Sequence, residues 1–129
     1  MSDPEEVTCV HPAERRVADP TPGKSREQAI AVPGLWSGLV RTEPGVASGW
    51  HHHGDHDTSV YVIEGSVRIE FGPDGARALD GGPGDFIHIP GHVVHREVNA
   101  GSTASQEVVT RSGTGPLTVN VDGPSSSEA

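Results

Sequence analysis

No part of this 129-residue chain between residues 20 and 115 runs far without a glycine or a proline, and that punctuation limits its fold class more than any other feature. The 17 glycines and 11 prolines leave little room for long helices, and several stand in clusters such as Gly72-Pro73-Asp74-Gly75 and Gly81-Gly82-Pro83-Gly84. Such clusters supply the positive and the fixed φ angles of tight turns, and they stop helices. Between turns, apolar and polar residues alternate. Val67, Ile69 and Phe71 are separated by Arg68 and Glu70, and Leu117, Val119 and Val121 repeat the pattern. A period of two is that of a strand with one buried face.

Strands are expected over residues 35–41, 46–53, 59–63, 66–71, 76–79, 85–89, 95–99, 106–111 and 117–121, with an edge strand over 27–32. No helix is expected. Many short strands joined by Gly/Pro turns pack as a sandwich or barrel. The length favours a single domain, which buries roughly two-thirds of the surface of its unfolded chain. Residues 1–27 carry Pro4, Pro12, Pro20 and Pro22 among charged and small residues, and read as a partly disordered arm. Residues 28–121 form the domain, and residues 122–129 (DGPSSSEA) read as a flexible tail.

A net charge of −9 repels the phosphate backbone, so no nucleic-acid partner is expected. No apolar run approaches the roughly 20 residues of a membrane span, and the polar N-terminus lacks the features of a secretory signal. A cytoplasmic location without membrane contact is the expectation. Cys9 is the single cysteine, so an internal disulfide and a thiolate metal cluster are both excluded. A tight metal site in this chain must use histidine and carboxylate ligands.

There are eight histidines, and their placement is uneven. His51, His52, His53 and His56 form one group, His88, His92 and His95 a second, and His11 stands apart. In an extended segment His51 and His53 share one face and His52 takes the other. Two imidazoles on one face can grip one cation, and a histidine from the second group can reach the same ion from another strand. Three protein ligands with open positions make a site catalytic in character.

The two segments, GVASGWHHHGDHDTSVYVIEG (residues 45–65) and GDFIHIPGHVVHREVN (residues 84–99), resemble the two motifs of the cupin superfamily. Gly45, His51, His53 and Gly65 fall on the first motif, and Gly84, Pro90, His95 and Asn99 on the second, in order. The resemblance covers about residues 35–121. It implies an all-β double-stranded β-helix, the cupin jelly-roll barrel, with a metal in the barrel mouth. Two positions depart from the pattern. Thr58 stands where the family usually has a glutamate ligand, with Asp57 beside it, and His92 stands where the second motif has glycine. A site of three histidines without the carboxylate is similar to that of the three-histidine iron cupins. Neutral imidazoles leave the metal's +2 charge uncompensated, which favours an anionic chelating substrate.

The implied cofactor is one divalent transition metal, iron first, with Zn, Ni, Cu and Mn as alternatives. His51, His53 and His95 are the expected ligands. His56 is a fourth candidate, and Asp57 becomes one if the loop is shifted by one residue. The other reading of the triad is a group of cavity histidines without a metal. If His95 faces inward so does Glu97, which is then a candidate general base or a hydrogen-bond partner near the metal. Tyr61 is carried as a catalytic candidate, although alternation turns it and Ile63 away from the face of Thr58, Val60 and Val62. That outer face is apolar and needs a cover, and the resemblance favours a homodimer. His88 is expected as a core histidine, His92 at the mouth, His52 outward, and Trp36 and Trp50 in the core or the cavity wall, with Trp50, opposite His51, in a packing role. The expected function is a metal-dependent enzyme of the cupin type acting on a small-molecule substrate, most simply a mononuclear non-haem iron dioxygenase. A metal-dependent isomerase or lyase uses the same ligands, and a non-catalytic binding module is the third reading.

Overall fold

A computed structural model of the protein describes residues 6–18 and 21–126. Residues 127–129 of the expected tail, and residues 1–5 and 19–20 of the expected arm, lie outside the described residues. The described chain forms eleven strands: β1 (Arg16–Val17), β2 (Lys24–Val32), β3 (Leu35–Thr42), β4 (His51–His52), β5 (Thr58–Glu64), β6 (Val67–Phe71), β7 (Arg77–Gly81), β8 (Phe86–Ile89), β9 (His95–Val98), β10 (Ser105–Ser112) and β11 (Val119–Asn120). Helical structure among the described residues is limited to two 3-10 turns, Pro12–Glu14 and Pro73–Gly75. No helix among them is long and apolar enough to cross a membrane.

The strands pair antiparallel in two sheets. One has the order β1-β2-β3-β10-β5-β8 and the other β11-β4-β9-β6-β7. Alternation carries every second residue of each strand into the space between them. Trp36 and Val40 of β3, Val60 and Val62 of β5, and Val109 of β10 meet Val67 and Ile69 of β6 in one core. Each such side chain contributes roughly 1.5–3 kcal/mol when removed from water. Trp36 donates from Nε1 to Gln28 Oε1 at 2.9 Å, and its ring lies over Gly38. A Cβ on Gly38 would stand 2.7 Å from that ring and 2.6 Å from the Glu27 carbonyl oxygen, so the Trp36 position requires the glycine.

Several expected elements differ in extent. The first sheet begins earlier than residue 27, because β2 starts at Lys24 and β1 pairs with it at Arg16↔Gln28. Part of the described arm, residues 16–17 and 24–27, is therefore sheet. The expected strand over 46–53 is a ladder only at His51–His52. Upstream, Ala47 makes a single bridge to Val98, and Ser48 N–H donates to the Glu97 carbonyl at 2.8 Å. Gly45, at φ +79, turns the chain into this segment, and the loose pairing lets it bend around the barrel end. The last strand likewise pairs only at Val119 and Asn120, against His52 and His51.

The outer face of the first sheet carries an apolar patch around Tyr61 among polar residues. Tyr61 stacks on Phe86 with ring centroids 4.7 Å apart, and Phe86 is 74 % exposed. Leu39 and Val108 continue the row through the register Val108↔Tyr61 and Val108↔Leu39.

Candidate metal centre

The register of β4 against β9 sets His51 opposite His95, and alternation returns His53 to the same side. The three rings stand with centroids 4.4 to 5.0 Å apart. One ring nitrogen of each lies within 4.8 Å of the others. All three are enclosed, with exposures of 9 %, 3 % and 2 % for His51, His53 and His95.

Their second nitrogens are fixed by the backbone. Nδ1 of His51 meets the Gly49 carbonyl oxygen at 2.8 Å, Nδ1 of His53 meets that of Leu117 at 2.7 Å, and Nδ1 of His95 meets that of Val93 at 2.9 Å. A carbonyl only accepts, so each Nδ1 carries the hydrogen and each Nε2 keeps its lone pair for a metal. Burial is the main force on their basicity. It lowers His51 to about 4, with His95 and Lys24 adding to the fall, and lowers His53 to about 2, assisted by the Arg111 charge. His95 falls for the same first reason. Neutral imidazoles with oriented lone pairs are what a divalent transition metal binds, at about 2.0–2.1 Å, and the donor set fits one.

The family's glutamate position is not refilled by a carboxylate. Thr58 is 1 % exposed, lines the same recess, and its Oγ1 has no hydrogen-bond partner among the described residues. Asp57 faces outward and accepts from His88 Nε2 at 3.0 Å.

Of the other expected site residues, Glu97 enters the recess and two do not. His56 is buried, but Nδ1 lies 2.7 Å from the Ser112 carbonyl and Nε2 3.1 Å from that of Gly115, so it sits against the loop and is not among the residues whose ligand atoms converge. Tyr61 lies on the outer face against Phe86, because β5 turns Thr58, Val60 and Val62 inward. His88 is exposed rather than in the core, since β8 buries Ile87 and Ile89 and turns its even positions out. His92 holds φ +63 at the motif's glycine position, donates to Asp55 Oδ1 from Nε2 at 2.6 Å, and sits outside beside His52. Trp50 packs under the Arg96 guanidinium, 4.7 Å from its ring centroid.

A buried charged group lies beside the triad, and of its members only Glu97 was singled out in the sequence. Lys24 Nζ donates to Glu97 Oε2 at 3.0 Å, with side chains 4 % and 15 % exposed. Burial pushes the Glu97 carboxyl up, but the Lys24 ammonium outweighs it and holds Glu97 at about 2. Glu107 is fully buried, and burial together with the facing Glu97 charge pushes it well above the carboxylate range. Burial therefore favours the protonated form of Glu107. Arg111, facing inward two residues beyond Val109, lies over the Trp36 ring at 5.1 Å and is lowered to about 10, first by burial and then by Arg26. The phase of Glu107 and Arg111 with Val109 was the available signal. Lys24 and Arg26 had none, because β2 has few apolar residues to reveal an inner face.

Two cavities meet here. A recess of about 30 Å³ is bounded by the three histidines, Thr58, Glu97 and Lys24. A wider cavity of about 670 Å³ opens outside it, between Trp36, Gln28 and Asn120. Arg26, Arg111 and Thr118 line both.

The matching sequence profile is that of the cupin domain, over residues 38–111. The chain belongs to the cupin family. Curated proteins return no match at the sequence level. Among solved structures, this cupin is similar to KdgF from Halomonas sp., with 24 % identity and a TM-score of 0.72 over 85 % of this chain and 96 % of that one. It is similar to the polyketide cyclase RemF from Streptomyces resistomycificus, at 22 % identity and TM-score 0.73, covering 90 % and 86 % of the two chains. A protein with a double-stranded β-helix domain from Klebsiella pneumoniae gives 16 % identity and TM-score 0.73, covering 90 % and 98 %. At these identities the likeness concerns the fold.

The buried triad makes the metal-free cupin acid-sensitive. Unfolding restores each histidine to about 6.5, so below that pH the unfolded chain binds more protons than the folded one, and stability falls as pH falls. The window runs from about 6.5 down to the folded value, about 4 for His51. The slope approaches about 1.4 kcal/mol per pH unit for each histidine in its window. Urea midpoints of the metal-free protein should fall clearly between pH 7 and pH 5, and His53→Gln should flatten the profile. An unchanged midpoint over that range would contradict the buried neutral triad.

Proposed function

We propose that this cupin is a metal-dependent enzyme for a small chelating molecule, with His51, His53 and His95 as ligands of one divalent transition metal. The supporting observation is the set of three buried imidazoles whose Nδ1 atoms are all tied to carbonyls, which leaves three Nε2 lone pairs for one cation. The finer reading is a mononuclear non-haem iron dioxygenase. Iron held by His51, His53 and His95 would supply redox and Lewis-acid chemistry to a chelating substrate. The protein's part is orientation and exclusion of water. The recess admits only a few atoms, Thr58 Oγ1 offers a hydrogen bond to whatever enters, and Val60 and Val109 keep the rear wall dry. Glu97 is ionised and anchored on Lys24, so it balances charge.

A metal-dependent isomerase or lyase is the second reading, favoured by the Lys24–Glu97 pair on the wall of the same recess, where groups able to exchange a proton with a bound molecule stand beside the histidines. We also read the outer-face row of exposed Phe86 and Tyr61 and half-buried Val108 and Leu39 as the face of a homodimer.

Elemental analysis of protein made without a histidine tag, followed by oxygen uptake with thiols, diketones and phenolic acids, separates these readings. Stoichiometric iron with substrate-dependent oxygen uptake is the expected result. Turnover without oxygen uptake would replace the dioxygenase by the lyase or isomerase. Tight zinc with no turnover would leave a binding module. Light scattering on the same sample should give twice the 13.5 kDa chain mass, and a monomer would remove the dimer.

A further inference from the structure

We infer that the molecule this site takes is a small organic acid, its carboxylate held by Arg111 and Arg26 in the outer cavity while a second oxygen reaches the recess of the three histidines. The inference rests on the metal reading above and names the substrate class for it.

Charge is the first observation. The whole chain carries −9, yet three cationic side chains line the recess inside the barrel. Lys24, Arg26 and Arg111 face it beside Glu97 and Glu107. Lys24 is committed to Glu97 at 3.0 Å. The two guanidiniums lie farther out, at the junction of recess and cavity, and line both. A positive spot at the base of a low-dielectric funnel concentrates anions, and does so against the repulsion of an acidic surface.

Arg111 is the second observation. Its guanidinium is packed on Trp36, which fixes the plane. Its Nε is buried without a hydrogen-bond partner among the described residues. A buried donor without an acceptor is costly, and a planar fork held by an aromatic ring matches a carboxylate. Burial and the neighbouring Arg26 both disfavour its charge, and an arriving anion relieves the second of these.

Size is the third. About 30 Å³ beside the histidines admits one or two heavy atoms, whereas about 670 Å³ outside accommodates the body of a small molecule. A ligand that fills both is extended, with a chelating oxygen at one end and its charge at the other. Thr118, on the wall common to both cavities, and Asn120, at the outer one, add polar groups around the body.

The test is a matched pair of probes on full-length protein loaded with cobalt(II). One probe is 3,4-dihydroxybenzoate and the other 4-methylcatechol, which share the chelating end and differ in the remote carboxylate. Calorimetry and the cobalt absorption bands give both affinities. The acid is expected to bind at least about tenfold tighter, as for a charge-assisted hydrogen bond. Arg111→Gln and Arg26→Gln should each shrink that ratio toward unity while 4-methylcatechol still binds, and Arg111→Lys should retain part of it. Equal affinities in the wild-type protein overturn the inference and leave the metal centre standing. So does a ratio that both glutamine variants leave unchanged. If cobalt is not taken up, the same pair is titrated against metal-free protein. A preference for the acid that Arg111→Gln abolishes then keeps the anion site and removes the metal reading, and no preference removes both.

Discussion

Replacing His95 by alanine should weaken the binding of a divalent transition metal by at least about a hundredfold. Partners that merely orient a ligating histidine are worth about 10–100-fold in metal affinity, and His95 is read here as a ligand itself. It is the deepest of the three rings, 2 % exposed, and it comes from β9, whereas His51 and His53 come from one segment. Its loss leaves two donors from a single short stretch and no carboxylate nearby to replace it, since Asp57 is turned outward to His88 and Glu97 is held by Lys24. Competition against a chromophoric chelator measures the change. His52→Ala is the matching control: the ring lies in the middle of the same histidine run but faces outward, and its Nδ1 accepts from the Gly54 N–H at 3.0 Å. Its affinity should stay within about twofold of wild type, the usual range for a surface change outside the site. If His95→Ala binds metal as tightly as the parent, the triad is not the metal site. If His52→Ala loses as much as His95→Ala, the histidine run binds metal as an exposed cluster and the buried centre is excluded.

The histidines show how much of this site the sequence disclosed. Alternation along an extended segment is a geometric rule, so it separated His51 and His53 from His52, and it set Glu97 inward with His95, before any coordinates. The same rule fixed Val60 and Val62 inward and Tyr61 outward in β5. What it does not give is the partner of each inward group. Lys24 belongs to a stretch of mixed charge with prolines on its N-terminal side, which reads as an arm by composition. It becomes part of a sheet because β2 pairs with β3 along its whole length, from Lys24↔Thr42 to Val32↔Leu35. Stability there comes from tertiary pairing, which local composition does not report. His88 failed as a core histidine for a related reason. The four-residue strand β8 is apolar on both faces, so hydrophobicity alone could not say which face was inside, and the register Val60↔Ile87 decided it. His92 in the left-handed region is a local cost that glycine would avoid, offset in part by its bond to Asp55.

Lys24→Met should cost roughly 3–5 kcal/mol of stability at neutral pH, the range for removing one partner of a buried ion pair. The pair spans the barrel from β2 to β9, and Lys24 is 6 % exposed, so solvent screens it little. Methionine keeps most of the volume, which leaves charge as the main difference. Without the ammonium, burial prevails at Glu97, and its carboxyl moves from about 2 to above its unfolded value. The sign of its pH dependence then reverses. In the parent, Glu97 contributes stability that is present above about 4.5 and lost as pH falls toward 2. In the variant it opposes folding increasingly as pH rises through that range. The stability gap between the two proteins, read from urea unfolding of metal-free samples, should therefore be smaller at pH 4 than at pH 7. The double variant Lys24→Met/Glu97→Gln should recover much of the loss, because no charge is then buried alone. A single variant that costs less than about 1 kcal/mol, within the range of an exposed pair, would mean that Lys24 and Glu97 reach solvent. A double variant as unstable as the single one would assign the cost to packing. In either event the charge balance on which anion recognition by Arg111 and Arg26 depends would have to be redrawn, since it takes Lys24 to be wholly engaged by Glu97.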